Sequence, residues 1–362
     1  MYPYQVLSAI SFGAKPDHRT LESFGDNQVQ RRDVFVVRPC LTLYINLSEV
    51  DTPLQELEDT FSDTDLSSLK IVVDAGAGCQ AGVAFNLFKR LGTDVTALHD
   101  TADGRFPHRH PDCAIPAHLN DLVQAVRTLR ADIGIAFDGD GDRLAIVDDT
   151  GQVLGAERLA MILLKGPLQL KLDAPVILDV KCSMQLERMV RAAGTVPQRC
   201  KSGHAYMKKM VITRNALMGV ELSGHIFLQA ISGRDDPLFT ALVLCRHLAE
   251  TQSVLSQLAA DLPDIVMTPD IRLAFGTTSI RRIIETCSEG IDGALVETVD
   301  GVQLFWNEGW ILVRRSITEP KVTIRIEGEK PFDLEQLAAR FIQVFPELGV
   351  PVRSAVREAL KT

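Results

Sequence analysis

The sequence predicts an α/β protein: two related α/β units with mostly parallel or mixed sheets, followed by a C-terminal α+β domain with an antiparallel sheet. Three observations carry this expectation. From Lys70 to Phe137, short runs of Val, Ile and Leu alternate with apolar residues at helical spacing, in the order strand, helix, strand, helix, strand. The same order recurs from Val176, again with strands that end in a carboxylate. Towards the C-terminus the period changes. Val322, Ile324 and Ile326 alternate with Thr323, Arg325 and Glu327, as in a half-buried strand, and Leu334, Leu337, Phe341 and Val344 then share a helix face.

The elements follow in order. Residues 1–65 stand apart as an irregular N-terminal segment, polar from Pro16 to Arg32, with strand-like runs at Val34–Val37 and Leu41–Ile45. The acidic stretch Asp51–Ser68 reads as a short helix plus a linker. Ile71-Val72-Val73 is a buried-type strand that ends in Asp74-Ala75-Gly76-Ala77-Gly78. Val83, Leu87 and Leu91 mark a helix that Gly92 stops. Asp94–Leu98 is a strand; Leu119, Leu122, Val126 and Leu129 form the face of a second helix; and Asp132–Phe137 leads into an acidic loop. In the repeat, Val176-Ile177-Leu178 ends in Asp179-Val180-Lys181, a helix runs through Met184, Leu186, Met189 and Val190 to Gly194, and Leu217–Val220 ends in Glu221-Leu222-Ser223-Gly224-His225. Ile280–Glu285 is expected to be helical and Gly301–Phe305 a strand. The expected boundaries are 1–65 for the irregular segment, 66–152 and 153–265 for the two α/β units, and 266–362 for the α+β domain.

Composition narrows the function. With 46% hydrophobic and 23% charged residues the chain has a soluble globular balance. A net charge of −9 disfavours nucleic acid and anionic membrane surfaces as partners. Seven scattered cysteines without a Cys-x-x-Cys pair fit a reducing compartment better than a disulfide scaffold or a zinc site. The start lacks a basic-then-apolar leader and no apolar run is long enough to cross a bilayer, so a cytoplasmic protein is expected.

The chemistry concentrates in Ala136-Phe137-Asp138-Gly139-Asp140-Gly141-Asp142-Arg143. Alternate residues of an extended loop point the same way, so Asp138, Asp140 and Asp142 can converge. Three carboxylates at one point repel unless a hard cation such as Mg²⁺ lies among them. Arg143 adds a fork of donors suited to a phosphate. An EF-hand also alternates carboxylates, but asks for Gly at its sixth place and Glu at its twelfth, where this chain has Arg143 and Asp149. In the Glu221–His225 run, Glu221 and Ser223 can face a polyol and His225 can exchange protons with a hydroxyl, although Glu221 also suits a solvated strand end. Lys181 and the run Lys201-Ser202-Gly203-His204 add cationic groups that could equally be surface or structural. In Arg314-Arg315-Ser316-Ile317-Thr318-Glu319-Pro320, one arginine and two alternate hydroxyls make either a phosphate cradle or an ordinary basic turn.

Together and in this order, Asp138–Arg143, Asp179–Cys182, Lys201–His204, Glu221–His225 and Arg314–Pro320 resemble the α-D-phosphohexomutase superfamily, in particular its bacterial phosphomannomutase/phosphoglucomutase branch. Val72–Gly78 and Asp103–Pro107 are weaker matches, and the resemblance covers about 66–362. It implies Mg²⁺-dependent intramolecular phosphoryl transfer on glucose or mannose phosphates, with a phosphoserine as donor. It would make Asp138, Asp140 and Asp142 the metal ligands and place Arg143 beside the phosphoryl group. Glu221 and Ser223 would hold sugar hydroxyls; Arg314, Ser316 and Thr318 would grip the non-reacting phosphate; Lys181, His204 and His225 would assist charge or proton transfer.

One element of that family's pattern is missing. Its nucleophile sits in a Thr-Ala-Ser-His-Asn-Pro type motif, and no serine here precedes a histidine. The expectation is therefore a relative with impaired mutase activity that lacks the phosphoserine domain, residues 1–65 being its remnant or replacement. A protein partner could supply that domain. The alternative is a non-catalytic module that binds or senses sugar phosphate.

Overall fold

The computed structural model describes residues 34–38, 41–44, 47–168, 174–274, 277–316 and 321–361. Thr318, Ile45 and the polar run from Pro16 to Arg32 lie outside them. The described residues form two compact units: those up to Val153 with Pro237–Ser256, and Leu154–Asp236 with those from Gln257 on.

In the first unit, β1 (Val34–Arg38) and β2 (Leu41–Tyr44) pair as an antiparallel hairpin. Helix α1 (Leu47–Phe61) is longer than the short helix expected there, and it buries Leu54, Leu57 and Phe61. Phe61 meets Phe239 of helix Pro237–Thr251 edge to face at 5.6 Å, and Arg246 of that helix lies over the Phe61 ring. The sheet holds β3 (Lys70–Asp74), β4 (Asp94–Leu98), β5 (Ile133–Phe137), β6 (Leu144–Asp148) and β7 (Val153–Leu154) in the order β4-β3-β5-β6-β7. β3 runs parallel to β4 and β5, whereas β5 and β6 form an antiparallel hairpin. Helices α2 (Val83–Arg90) and α3 (Asn120–Leu129) bury Leu87, Leu122 and Val126. A side chain at Gly134 of β5 would come within 2.7 Å of Val126, so glycine lets α3 pack on the sheet.

The second unit repeats the arrangement. Its strands β8 (Val176–Asp179), β9 (Pro197–Cys200), β10 (Met218–Val220), β11 (Ile226–Leu228) and β12 (Arg234–Asp235) stand in the order β12-β11-β10-β8-β9. β8 is parallel to β9 and β10, and β10 and β11 form the hairpin. The Asp138–Arg143 loop and the Glu221–His225 loop are thus the tips of topologically equivalent hairpins. Both α/β modules have mixed sheets, as the sequence predicts.

The C-terminal module carries a six-stranded sheet, β13 (Val266–Met267), β14 (Ile271–Ala274), β15 (Leu295–Glu297), β16 (Val302–Trp306), β17 (Gly309–Arg315) and β18 (Lys321–Gly328), with antiparallel pairing throughout. Helices Thr277–Ser288, Pro331–Val344 and Gly349–Ala359 cover one face with Ile283, Leu334, Leu337, Phe341 and Val352. β18 differs from the half-buried strand that its alternation predicts. Thr323 and Glu327 are buried as well, because the second face packs on the adjoining α/β module, where Val180 meets Trp310 and Leu312.

Candidate functional site

The Asp loop caps the β5–β6 hairpin. Carboxylate oxygens of Asp138, Asp140 and Asp142 lie within 4.8 Å of one another. Asp138 is buried at the end of an apolar strand, and its Oδ1 accepts the backbone N–H groups of Gly141, Asp142 and Arg143 at 3.0–3.1 Å. Gly141, at φ 77°, gives the tight turn that aims them. Burial pushes the Asp138 carboxyl up to about 7; Arg143 opposes that shift, and Asp140 and Asp142 add to it. Three hard oxygens at one point, one of them resisting ionisation, suit a divalent cation. The residues present therefore fit a metal.

Arg143 donates from Nε to Asp138 Oδ2 at 2.6 Å and from Nη1 to Asp112 Oδ1 at 3.1 Å, which fixes its guanidinium across the loop. Below the loop, buried Arg109 joins Asp74 at 2.7 Å to the carbonyl of Phe137 at 2.6 Å. Gly78 backs the loop: a Cβ there would fall 2.6 Å from the carbonyl oxygen of Gly139.

The second unit brings four of the expected residues to one cavity. Lys181, Glu221, Arg314 and Ser316 line about 280 Å³, together with Ser202, Gly203, Asp270, Arg272, Lys321 and Thr323. Lys181 follows the β8 carboxyl end, Glu221 follows β10, and Arg314 and Ser316 close β17. Two buried polar atoms of this lining, Glu221 Oε2 and Arg314 Nε, have no hydrogen-bond partner among the described residues. Burial raises the Glu221 pKa, His225 and Lys181 oppose that shift, and Asp179 adds to it. Asp179 takes the Ser202 hydroxyl at 2.5 Å and lies 3.6 Å from Lys181 Nζ. Burial would raise Asp270, but Arg325, Lys181 and Arg272 outweigh it and hold this carboxyl below its ordinary range. Cationic groups next to a carboxylate and hydroxyls can take a phosphate at one end and sugar hydroxyls at the other.

His204 and His225 converge on a residue that sequence reasoning passed over. His204 Nε2 lies 2.7 Å from Asp235 Oδ2, and His225 Nδ1 lies 2.9 Å from the same oxygen. Burial alone would raise the Asp235 pKa, yet its bonds to the two imidazoles bring it to about 2. Ser223 lies on the β10–β11 loop with a buried Oγ. Thr318 falls outside the described residues. Nothing in the local sequence marks Asp112, Asp235 or Asp270, because Arg143, His204 and Arg325 reach them only through the fold.

Comparison with known proteins agrees with this geometry. Residues 54–151 match the family described as phosphoglucomutase/phosphomannomutase, alpha/beta/alpha domain II, and residues 156–266 match its alpha/beta/alpha domain III. A phosphomannomutase/phosphoglucomutase of Pseudomonas putida is 36% identical over 290 residues, which is 78% of this chain and 63% of that protein. A phosphoglucomutase of Neisseria meningitidis is 33% identical over 278 residues, 75% of this chain and 60% of that protein. The crystal structure of a phosphoglucomutase/phosphomannomutase family protein from Burkholderia thailandensis superposes with a TM-score of 0.72 at 34% identity, covering 85% of this chain and 63% of that one. The chain belongs to the α-D-phosphohexomutase superfamily. It spans about 63% of the length of the Pseudomonas putida relative. No described helix is long and apolar enough to cross a membrane.

Proposed function

We propose that this protein takes part in phosphohexomutase chemistry, binding hexose phosphates such as glucose or mannose phosphates and acting with Mg²⁺ in intramolecular phosphoryl transfer. The observation that carries this reading is the cavity of the second unit, about 280 Å³, where Lys181, Glu221, Arg314 and Ser316 line one space. Arg314, Ser316 and Thr318 grip the non-reacting phosphate in this reading. Glu221 and Ser223 orient the sugar through its hydroxyls. His204 and His225, both held by Asp235, exchange protons with the sugar oxygen, and Lys181 balances negative charge. Asp138, Asp140 and Asp142 would hold the magnesium, which when bound neutralises charge on phosphoryl oxygens. Arg143 would serve the same phosphoryl group.

The names of the relatives and the two family matches support the substrate class. No serine of this sequence is followed directly by a histidine, so the reading assigns none of its residues as the phosphoryl carrier. The described cysteines are all free, which supports a cytoplasmic setting. Calorimetric titration with glucose 6-phosphate tests the core of the reading. Binding is expected, with a loss of about tenfold or more in Arg314→Ala, since a charge-assisted pair is removed. Absence of heat with the native chain would overturn it.

A further inference from the structure

Asp300 stands behind the cavity, at the turn that precedes β16. Its carboxylate joins the two walls. Asp300 Oδ2 lies 2.9 Å from Arg314 Nη2, on the β17 side, and accepts the backbone N–H of Ser202 at 3.3 Å, on the side of the α/β module. Both partners line the cavity. The side chains are mostly shielded: Asp300 is 17% exposed and Arg314 13%. Ser202 in turn donates its hydroxyl to Asp179, which neighbours Lys181. A continuous polar chain, Lys181–Asp179–Ser202–Asp300–Arg314, thus ties the cations of one module to those of the other.

We propose that Asp300 is a positioning residue for the sugar-phosphate cavity, one that fixes Arg314 against the Ser202 loop so that the guanidinium presents its remaining donors to a bound phosphate. The inference rests on the hexose-phosphate reading of the cavity. A free arginine samples many rotamers, and holding it in place removes that entropy before the ligand arrives. A carboxylate beside Arg314 also competes with phosphate for the same charge. The two effects have opposite signs, so the direction of the change on mutation decides between them.

The test is calorimetric titration of the whole chain with glucose 6-phosphate, in native protein and in Asp300→Asn, Arg314→Ala and the double variant. Asp300→Asn is expected to weaken binding about tenfold in the native background and to change it less than about twofold once Arg314 is gone, because the effect passes through Arg314. Asp300→Glu, which keeps the charge but shifts it by one methylene, is expected to lose less than the Asn variant, and it carries the test if the Asn variant does not fold. Unchanged or tighter binding in these variants overturns the proposal and marks Asp300 as a competing counter-ion. An equal loss with and without Arg314 also overturns it, as the mark of a purely structural role. Failure of the native chain to bind glucose 6-phosphate would instead refute the reading of the cavity itself.

Discussion

Single residues decide the chemistry, and their environments differ sharply. The three aspartates of the β5–β6 loop were legible in the sequence because alternation along one loop brings them together without help from the rest of the chain. Asp112 and Asp235 were not, since each lies 31 positions from its partner, Arg143 or His204. Buried Glu157 shows another effect that no sequence pattern betrays. It accepts the backbone N–H of Ser183, and burial lifts its carboxyl from the ordinary 4.5 to about 7, against the pull of Arg325. The folded state therefore binds this proton more tightly than the unfolded chain. Its contribution to stability is full below about 4.5 and is lost as the pH rises to about 7. Glu157→Gln keeps an acceptor for Ser183 and has no charge to desolvate. It is expected to raise the melting temperature at pH 8, by a gain on the order of 1–3 kcal/mol, and to change little near pH 5. Thermal unfolding at both pH values checks this, and equal effects at both would refute it.

At the scale of elements, each α/β module places a loop at the tip of an antiparallel hairpin next to a parallel core. The strands themselves were legible, from apolar runs such as Ile71–Val73 and Val176–Leu178 closed by a carboxylate. Their pairing was not, because hydrophobic runs do not say which neighbour a strand takes. β18 makes the same point: its alternation predicts one wet face, but the adjoining module covers that face and buries Glu327 against Ser183, Met184 and Trp310. Shape also couples elements around the Asp loop. Gly78 packs directly on the Gly139 carbonyl, and backbone there has no room to yield to a methyl group. Gly78→Ala is expected to shift the loop at a cost of about 1–3 kcal/mol and to weaken divalent-ion binding roughly tenfold, although residue 78 bears no ligand atom. Titration with Mn²⁺ followed by electron paramagnetic resonance measures this directly. Unaltered affinity would mean that the loop tolerates displacement.

For the whole molecule, the charge balance and the family set the limits. A net charge of −9, with Lys181, Arg272, Arg314 and Lys321 lining one small cavity, suits a phosphorylated metabolite, not a polyanion. Fluorescence anisotropy with a DNA duplex at physiological salt is expected to show no binding, and a saturable rise would show a basic surface that this reading lacks. The sequence by itself determined the repeated α/β grammar, the antiparallel C-terminal sheet, the acidic loop and the family, because each is written in residues close together along the chain. Only the tertiary structure decided that Lys181, Glu221, Arg314 and Ser316 share one cavity, that one aspartate holds both histidines, and that Asp300 ties the cavity walls. Those arrangements depend on contacts between segments far apart in the chain, where the packing of whole sheets, and not local spacing, sets the distance.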